Sequence, residues 1–185
     1  MTDPAPFPTD AVARAEAFAR RHHAAHTRKG AAAEPYALHL AEVAALVRLW
    51  GGDDIAVTAA WLHDTVEDCD DVTDATIRGA FGAQVAGIVM ELTDDKALPK
   101  PQRKRMQVTN APHKSPRAAL IKCADKTSNI SAVGASPPVH WDQARREAYI
   151  AWGEEVVAAL PGLPDPARAG FATACALSRL RLTFR

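Results

Sequence analysis

Along this chain apolar side chains recur three and four positions apart, the spacing of one helix face, and period-two alternation is nearly absent. Breakers divide the pattern into segments. Three prolines within residues 1–8 predict a flexible N-terminal arm. From Thr9-Asp10, a suitable N-cap, an alanine-rich helix is expected to run to about residue 28, with Ala11, Ala15, Phe18 and His22 on one face. After a loop over 29–35, a second helix covers residues 36–50, with Leu38, Val43, Leu46 and Val47 inward, and Gly51-Gly52 ends it. A third, capped by Asp53 or Asp54, carries the stretch Ala59-Ala60-Trp61-Leu62-His63-Asp64-Thr65-Val66-Glu67-Asp68. Short helices are predicted over 73–81 and 83–93, the latter burying Val85, Ile88, Val89 and Leu92, and a polar helix over 99–109. Ser115 and Pro116, as N-cap and first helical residue, open an apolar helix over 117–130. Ser136-Pro137-Pro138 interrupts, and helices over 139–160 and 164–182 complete the chain. The expected fold is all-α, a single helical bundle over residues 9–185 with about eight or nine helices.

Composition narrows the partners more than the fold. The 185 residues can bury a core without disulfide support. Twenty-two basic residues balance 22 acidic ones, so no overall field draws the protein to nucleic acid or to an anionic membrane. The N-terminus lacks a signal-peptide pattern, and no apolar run is long enough to span a bilayer. Cys69, Cys123 and Cys175 form no C-x-x-C pair and read as free thiols of a reducing, cytoplasmic compartment. Trp61, Trp141 and Trp152 read as core, and His22, His23, His26, His113 and His140 as surface or supporting residues.

The charges are segregated, which a neutral total conceals. Between Arg48 and Arg78 there is no lysine or arginine, but Asp53, Asp54, Asp64, Glu67, Asp68, Asp70, Asp71 and Asp74 all fall there. Between Asp95 and Asp125 the reverse holds, with Lys96, Lys100, Arg103, Lys104, Arg105, Lys114, Arg117 and Lys122. Two solvated faces attracting each other account for such blocks. A metal held by the acidic block beside a phosphorylated substrate drawn to the basic one accounts for them equally.

The 59–68 stretch sharpens the second account. Read as one continuous helix, it stacks Glu67 above His63 and Asp64, and Asp68 above Asp64. Like charges crowded in this way need a cation or a proton. His39 and Asp125 also stand on apolar helices, and a buried aspartate needs a partner. One cation would serve Asp64 and Asp125 together. Two imidazoles and two carboxylates with open positions suit Mn²⁺ or Fe²⁺ better than a closed thiolate zinc site. A hydrogen-bonded network without metal is the structural alternative.

The ordered set resembles the HD-domain metal-dependent phosphohydrolases, and within them the alarmone hydrolases: the hydrolase half of RelA/SpoT enzymes and their small stand-alone metazoan relatives. It comprises Arg28-Lys29, Pro35-Tyr36 and His39, His63-Asp64-Thr65-Val66-Glu67-Asp68, Leu92-Thr93-Asp94-Asp95-Lys96, Leu98-Pro99-Lys100, Arg103-Lys104-Arg105, Ala124-Asp125-Lys126 with Asn129, and Arg145, Tyr149 and Trp152. The resemblance implies an Mn²⁺-dependent hydrolase that removes the 3′-pyrophosphate of (p)ppGpp in the stringent response. It implies His39, His63, Asp64 and Asp125 as metal ligands and Glu67 and Asp68 as catalytic residues. Arg28, Lys29 and Asn129 would meet the nucleoside, and Lys96, Arg145 and Tyr149 the phosphates. Leu40, Thr127 and Ala132 depart from the family pattern, the last where a threonine would face the base. Hydrolysis of another nucleotide phosphate, such as the 2′-phosphate of NADPH, and a catalytically silent nucleotide-binding domain are the alternatives.

Overall fold

The computed structural model describes residues 10–183, so the expected arm over 1–8 lies outside the described residues. The elements in chain order are α1 (Asp10–His22), α2 (Tyr36–Leu49), α3 (Asp54–Leu62), α4 (Thr65–Asp68), α5 (Asp74–Phe81), α6 (Ala83–Leu92), α7 (Lys100–Asn110), α8 (Pro116–Ala135), α9 (Gln143–Ala158) and α10 (Asp165–Thr183). A 3₁₀ turn, Ala111–His113, joins α7 to α8. Among the described residues there is no strand, only an isolated antiparallel bridge between Thr27 and Pro35. Nine of these helices have eight residues or more and α4 is a single turn, so the all-α expectation holds.

Two helices form the centre because they are buried over long continuous runs. In α3 every residue from Ala56 to Leu62 is buried, and in α8 burial is continuous from Ala118 to Ser128. α3 packs against α1, α2 and α6, and α8 against α2, α9 and α10, so one hydrophobic cluster draws on both ends of the chain. α2 touches both central helices, and His39, His63 and Asp125 come together where the three meet.

Local chemistry sets most boundaries. Asp53 caps α3 by accepting from the Ala56 N–H, and Ser115 and Asp142 do the same for α8 and α9. Thr73 and Thr76 form a capping box at α5. The Asp142 cap starts α9 at Gln143, later than the expected 139, whereas α8 continues five residues past the expected 130.

Three expectations fail for physical reasons. α1 stops at His22, not near residue 28, because the Arg28 N–H bonds to Glu34 O and the Tyr36 N–H to His26 O, which folds 23–35 into a tight excursion. Gly30 of that excursion lies so close to the end of α8 that a Cβ would stand 2.2 Å from Ser136 O. Leu38 is half exposed, since α2 turns His39, Leu40, Val43, Ala44 and Val47 inward instead. The 59–68 stretch is not one helix. The Thr65 hydroxyl donates to Leu62 O at 2.7 Å and His63 Nδ1 to Ala60 O at 2.8 Å. Side chains thus take carbonyls of the last α3 turn, and Asp64, at φ −101° and ψ −3°, starts a new turn in another direction.

α8 and α10 pack tightly against each other, and a Cβ on Gly134 would lie 2.8 Å from Ser178 Cα. Gly134→Ala sets a helix-propensity gain of about 1 kcal/mol against an overpacking cost of about 1–3 kcal/mol. The variant should unfold at lower urea concentration than the parent, and an equal or higher midpoint would show that the two helices separate freely.

Candidate metal centre and active site

Four expected residues arrive from three elements at that junction. His39 projects from the first turns of α2, His63 and Asp64 from the break between α3 and α4, and Asp125 from the middle of α8. His39 Nε2 lies 3.6 Å from Asp64 Oδ2 and 3.5 Å from Asp125 Oδ1, and His63 Nε2 lies 3.1 Å from Asp64 Oδ2. His39, His63 and Asp125 are buried, and each places one ligand atom within 4.8 Å of the other two.

Hydrogen bonds elsewhere decide how the rings are presented. A carbonyl oxygen only accepts, so the proton on His63 Nδ1 points at Ala60 O. His39 Nδ1 lies 2.9 Å from Ser128 Oγ, whose own proton goes to Glu42 Oε2 at 2.5 Å. The Ser128 oxygen therefore accepts from His39. Both Nδ1 atoms are anchored in this way, and both Nε2 atoms are buried without a hydrogen-bond partner. Orphaned ring nitrogens turned toward two carboxylates, each ring held through its other nitrogen, are the arrangement a metal-binding histidine adopts. The residues present fit a divalent cation.

The electrostatics agree. Burial opposes a charged His63 ring, but Asp64 and Asp125 outweigh it and hold the ring up to about 9. Burial likewise works against the Asp64 carboxylate, yet His63 and His39 keep it well below the usual range. The carboxylates demand positive charge at this point, and a proton supplies it where no metal does. Burial, then Asp64, raises the Tyr36 hydroxyl, so it stays neutral and donates to Asp64 Oδ2 at 2.6 Å. Asp125 sits among the buried Lys126 and Lys122, at 3.4 and 3.7 Å.

Glu67 and Asp68 follow this group on α4. Glu67 Oε2 accepts the Asp94 N–H at 3.0 Å, and its other oxygen is 3.9 Å from Arg103. Burial and then the Asp64, Asp94 and Asp68 carboxylates raise Glu67 above the usual carboxylate range, against the Asp94 bond. Asp68 pairs with Lys96 Nζ at 2.6 Å. Beyond them lies a basic cluster. Lys100 is depressed by burial and by Lys29, Arg145 and Arg103, and Lys104 by burial and by Lys100, Lys126 and Arg145. Lys104 and Lys126 also lie over the Trp152 ring, at 4.4 and 4.2 Å from its centre. Trp152 is therefore half-buried among lysines and not core, and Tyr149 lies beside it with ring centres 5.3 Å apart.

The residues expected to meet the nucleoside are not all free to do so. Arg28 spans to α8, donating to Ser128 Oγ and O and to Glu42. Asn129 donates to Asp125 Oδ1 at 2.5 Å. Lys29 and Arg145 remain exposed. Sequence reasoning assigned no role to Tyr36, Ser128, Glu42 or Lys122. Tyr36 and Ser128 stand three residues from His39 and Asp125, the helical spacing that shares a face, which is the one signal that marks them.

Comparison with known proteins places this geometry in a family. A family defined as the HD domain matches residues 15–152. The chain is 44% identical over 147 residues to the human guanosine-3′,5′-bis(diphosphate) 3′-pyrophosphohydrolase MESH1, covering 78% of this chain and 82% of that protein. It is 39% identical to the Drosophila melanogaster protein of that name, with the same coverage. To the corresponding enzyme of Vibrio cholerae it is 34% identical over 145 residues, 75% of this chain but 20% of that one. A solved structure of a metazoan SpoT orthologue that hydrolyses ppGpp superposes with a TM-score of 0.87 at 34% identity, covering 96% of this chain and 98% of that one. The chain is thus a member of the HD-domain hydrolases, in the family of the MESH1-type pyrophosphohydrolases.

Proposed function

We propose that residues 9–185 form one hydrolase domain that removes the 3′-pyrophosphate of (p)ppGpp, leaving GDP or GTP, with Mn²⁺ bound by His39, His63, Asp64 and Asp125. The observation that carries this reading is the pair of orphaned Nε2 atoms turned toward two carboxylates beside Glu67 and Asp68. The names of the relatives supply the substrate. Two imidazoles with two carboxylates suit a six-coordinate Mn²⁺. When bound, such a cation polarises a phosphoryl oxygen and eases deprotonation of water.

The chain's own residues supply the rest. Glu67, raised by burial and held by the Asp94 N–H, is poised to take a proton from the attacking water. Water oxygen bonds to phosphorus, the bond from phosphorus to the 3′ oxygen breaks, and a proton passes to that oxygen. Asp68, steadied by Lys96, shares the proton handling. Lys96, Arg145 and Tyr149 meet the phosphates, with Lys29, Lys100 and Lys104 adding positive charge for the departing pyrophosphate. Arg28, Lys29 and Asn129 border the nucleoside. The bonds of Arg28 to Ser128 and Glu42 fix its guanidinium as a planar wall on which a base can stack.

Mn²⁺-loaded protein should release pyrophosphate from ppGpp, and release of orthophosphate alone, or from NADPH in preference, would reject the assignment. Glu67→Ala with Asp68→Ala should lower kcat by about 10²–10⁴-fold while metal content stays unchanged. Asp125→Ala should lose bound manganese, and a full equivalent found by elemental analysis would remove Asp125 from the ligand set. Ser128→Ala should weaken manganese binding about 10–100-fold in a chelator competition, because His39 loses its anchor. Unaltered affinity would mean that the ring is held by packing alone.

A further inference from the structure

A second group of ligand-type side chains lies outside the site just described. His23, His26 and Cys69 each place one ligand atom within 4.8 Å of the other two. His23 Nδ1 is 3.0 Å from His26 Nδ1, and Cys69 Sγ is 3.6 Å from His23 Nε2. The three come from distant parts of the chain, two from the turn that leaves α1 and one from the residue that ends α4. His23 and Cys69 are buried and His26 is half-buried, so the group is enclosed by protein and reachable past His26. Of the two roles expected for His23, surface or supporting, the surface one fails, because the residue is 1% exposed.

Ordinary hydrogen bonding serves these groups thinly. Two facing Nδ1 atoms share a single proton, and the thiol has only long contacts, to His22 O and to His23, both at 3.6 Å. Imidazole and thiolate are the donors that zinc-class cations select. The surroundings also favour positive charge, because Asp68, Asp71 and Asp64 all act on the Cys69 sulfur. Burial and these carboxylates push the thiol up to about 11, and burial brings His23 down to about 4, so without a cation the His23 ring and the thiol are neutral. Metal binding would release the Cys69 proton to solvent and use a ring-nitrogen lone pair from each histidine.

We propose that His23, His26 and Cys69 form a second metal site that takes a zinc-class divalent cation, with solvent completing a tetrahedron. The site is structural. The Tyr36 N–H bonds to His26 O at 2.9 Å, so a cation here ties together the end of α1, the start of α2 and the end of α4. Those segments carry Arg28, Tyr36 and Glu67-Asp68. Neither of the other cysteines can take the place of Cys69. Cys123 is buried in α8 with its thiol toward Ala167 O, and Cys175 is buried in α10.

Co²⁺ is the probe, because only a cobalt–thiolate bond gives the intense sulfur-to-cobalt charge-transfer absorption, whereas the histidine and carboxylate site gives none. Metal-stripped full-length protein titrated with Co²⁺ should develop that band. Cys69→Ser and His26→Gln should lose it, and Asp125→Ala should keep it. Zinc-loaded parent should hold one equivalent more than either of the first two variants by elemental analysis. His26→Gln changes a half-buried side chain and keeps the test available if Cys69→Ser fails to fold. No band in the parent, a band that survives Cys69→Ser or His26→Gln, or its loss in folded Asp125→Ala would overturn the second site.

Discussion

Two carboxylates enclosed at the meeting point of three apolar helices are the constraint on which this structure turns. An unpaired buried charge costs several kcal/mol, so Asp64 and Asp125 dictate what surrounds them. Asp125 draws Lys122, Lys126 and Asn129 around it on its own helix, and Asp64 draws the Tyr36 hydroxyl and the His63 ring. Even so, the compensation is incomplete, because two ring nitrogens are left without partners in the same space. A core built only for stability would fill that space with apolar side chains. Keeping it polar and open to a cation trades packing for chemistry.

The break between α3 and α4 divides that space into two parts with different tasks. His63 ends one helix by giving its Nδ1 proton to Ala60 O, and the same bond aims its other nitrogen at the carboxylates. One interaction thus terminates a helix and orients a candidate ligand. Asp64 then begins α4, whose only turn carries Glu67 and Asp68 away from the ligand group toward the lysines and arginines of α7 and its approach. A continuous helix would have stacked the three carboxylates on one face. The bend separates His63 and Asp64, which on the proposed reading would meet a cation, from Glu67 and Asp68, which would handle protons.

Much of this was legible in the sequence, for reasons that also explain the remainder. Helices were readable where capping residues and apolar spacing coincide, as at Asp53, Thr73 and Ser115. The metal-type residues stood out because His39, His63, Asp64 and Asp125 interrupt apolar runs, where a polar group needs a partner. Features that depend on a distant segment were not readable. α1 ends at His22 because of hydrogen bonds formed across the excursion to Glu34 and Tyr36. Ser128 looks like any helical serine until α2 brings His39 and Glu42 against it. Arg28 carries no sign in the sequence that its guanidinium is committed to α8. Leu38 was misjudged by a single position around α2, which is enough to move a side chain from core to surface.

The segregated charges follow the same division. The outer members pair across the surface, Asp53 with Arg117, Asp54 with Arg48 and Asp74 with Arg78. Exposed pairs of this kind contribute about 0–1 kcal/mol each, so they do not explain why the blocks exist. The inner basic residues are the informative ones. Among the described residues, Lys29, Lys100, Lys104 and Arg145 form no ion pair, and like-charged neighbours depress Lys100 and Lys104 further than burial alone. Clustered lysines that repel one another are a standing cost to the folded chain. A polyanionic ligand reverses its sign: each phosphate that enters meets several cations already in place, and relieves the repulsion among them. The cost borne by the free protein then becomes binding energy directed at the side of the site where Glu67 and Asp68 stand.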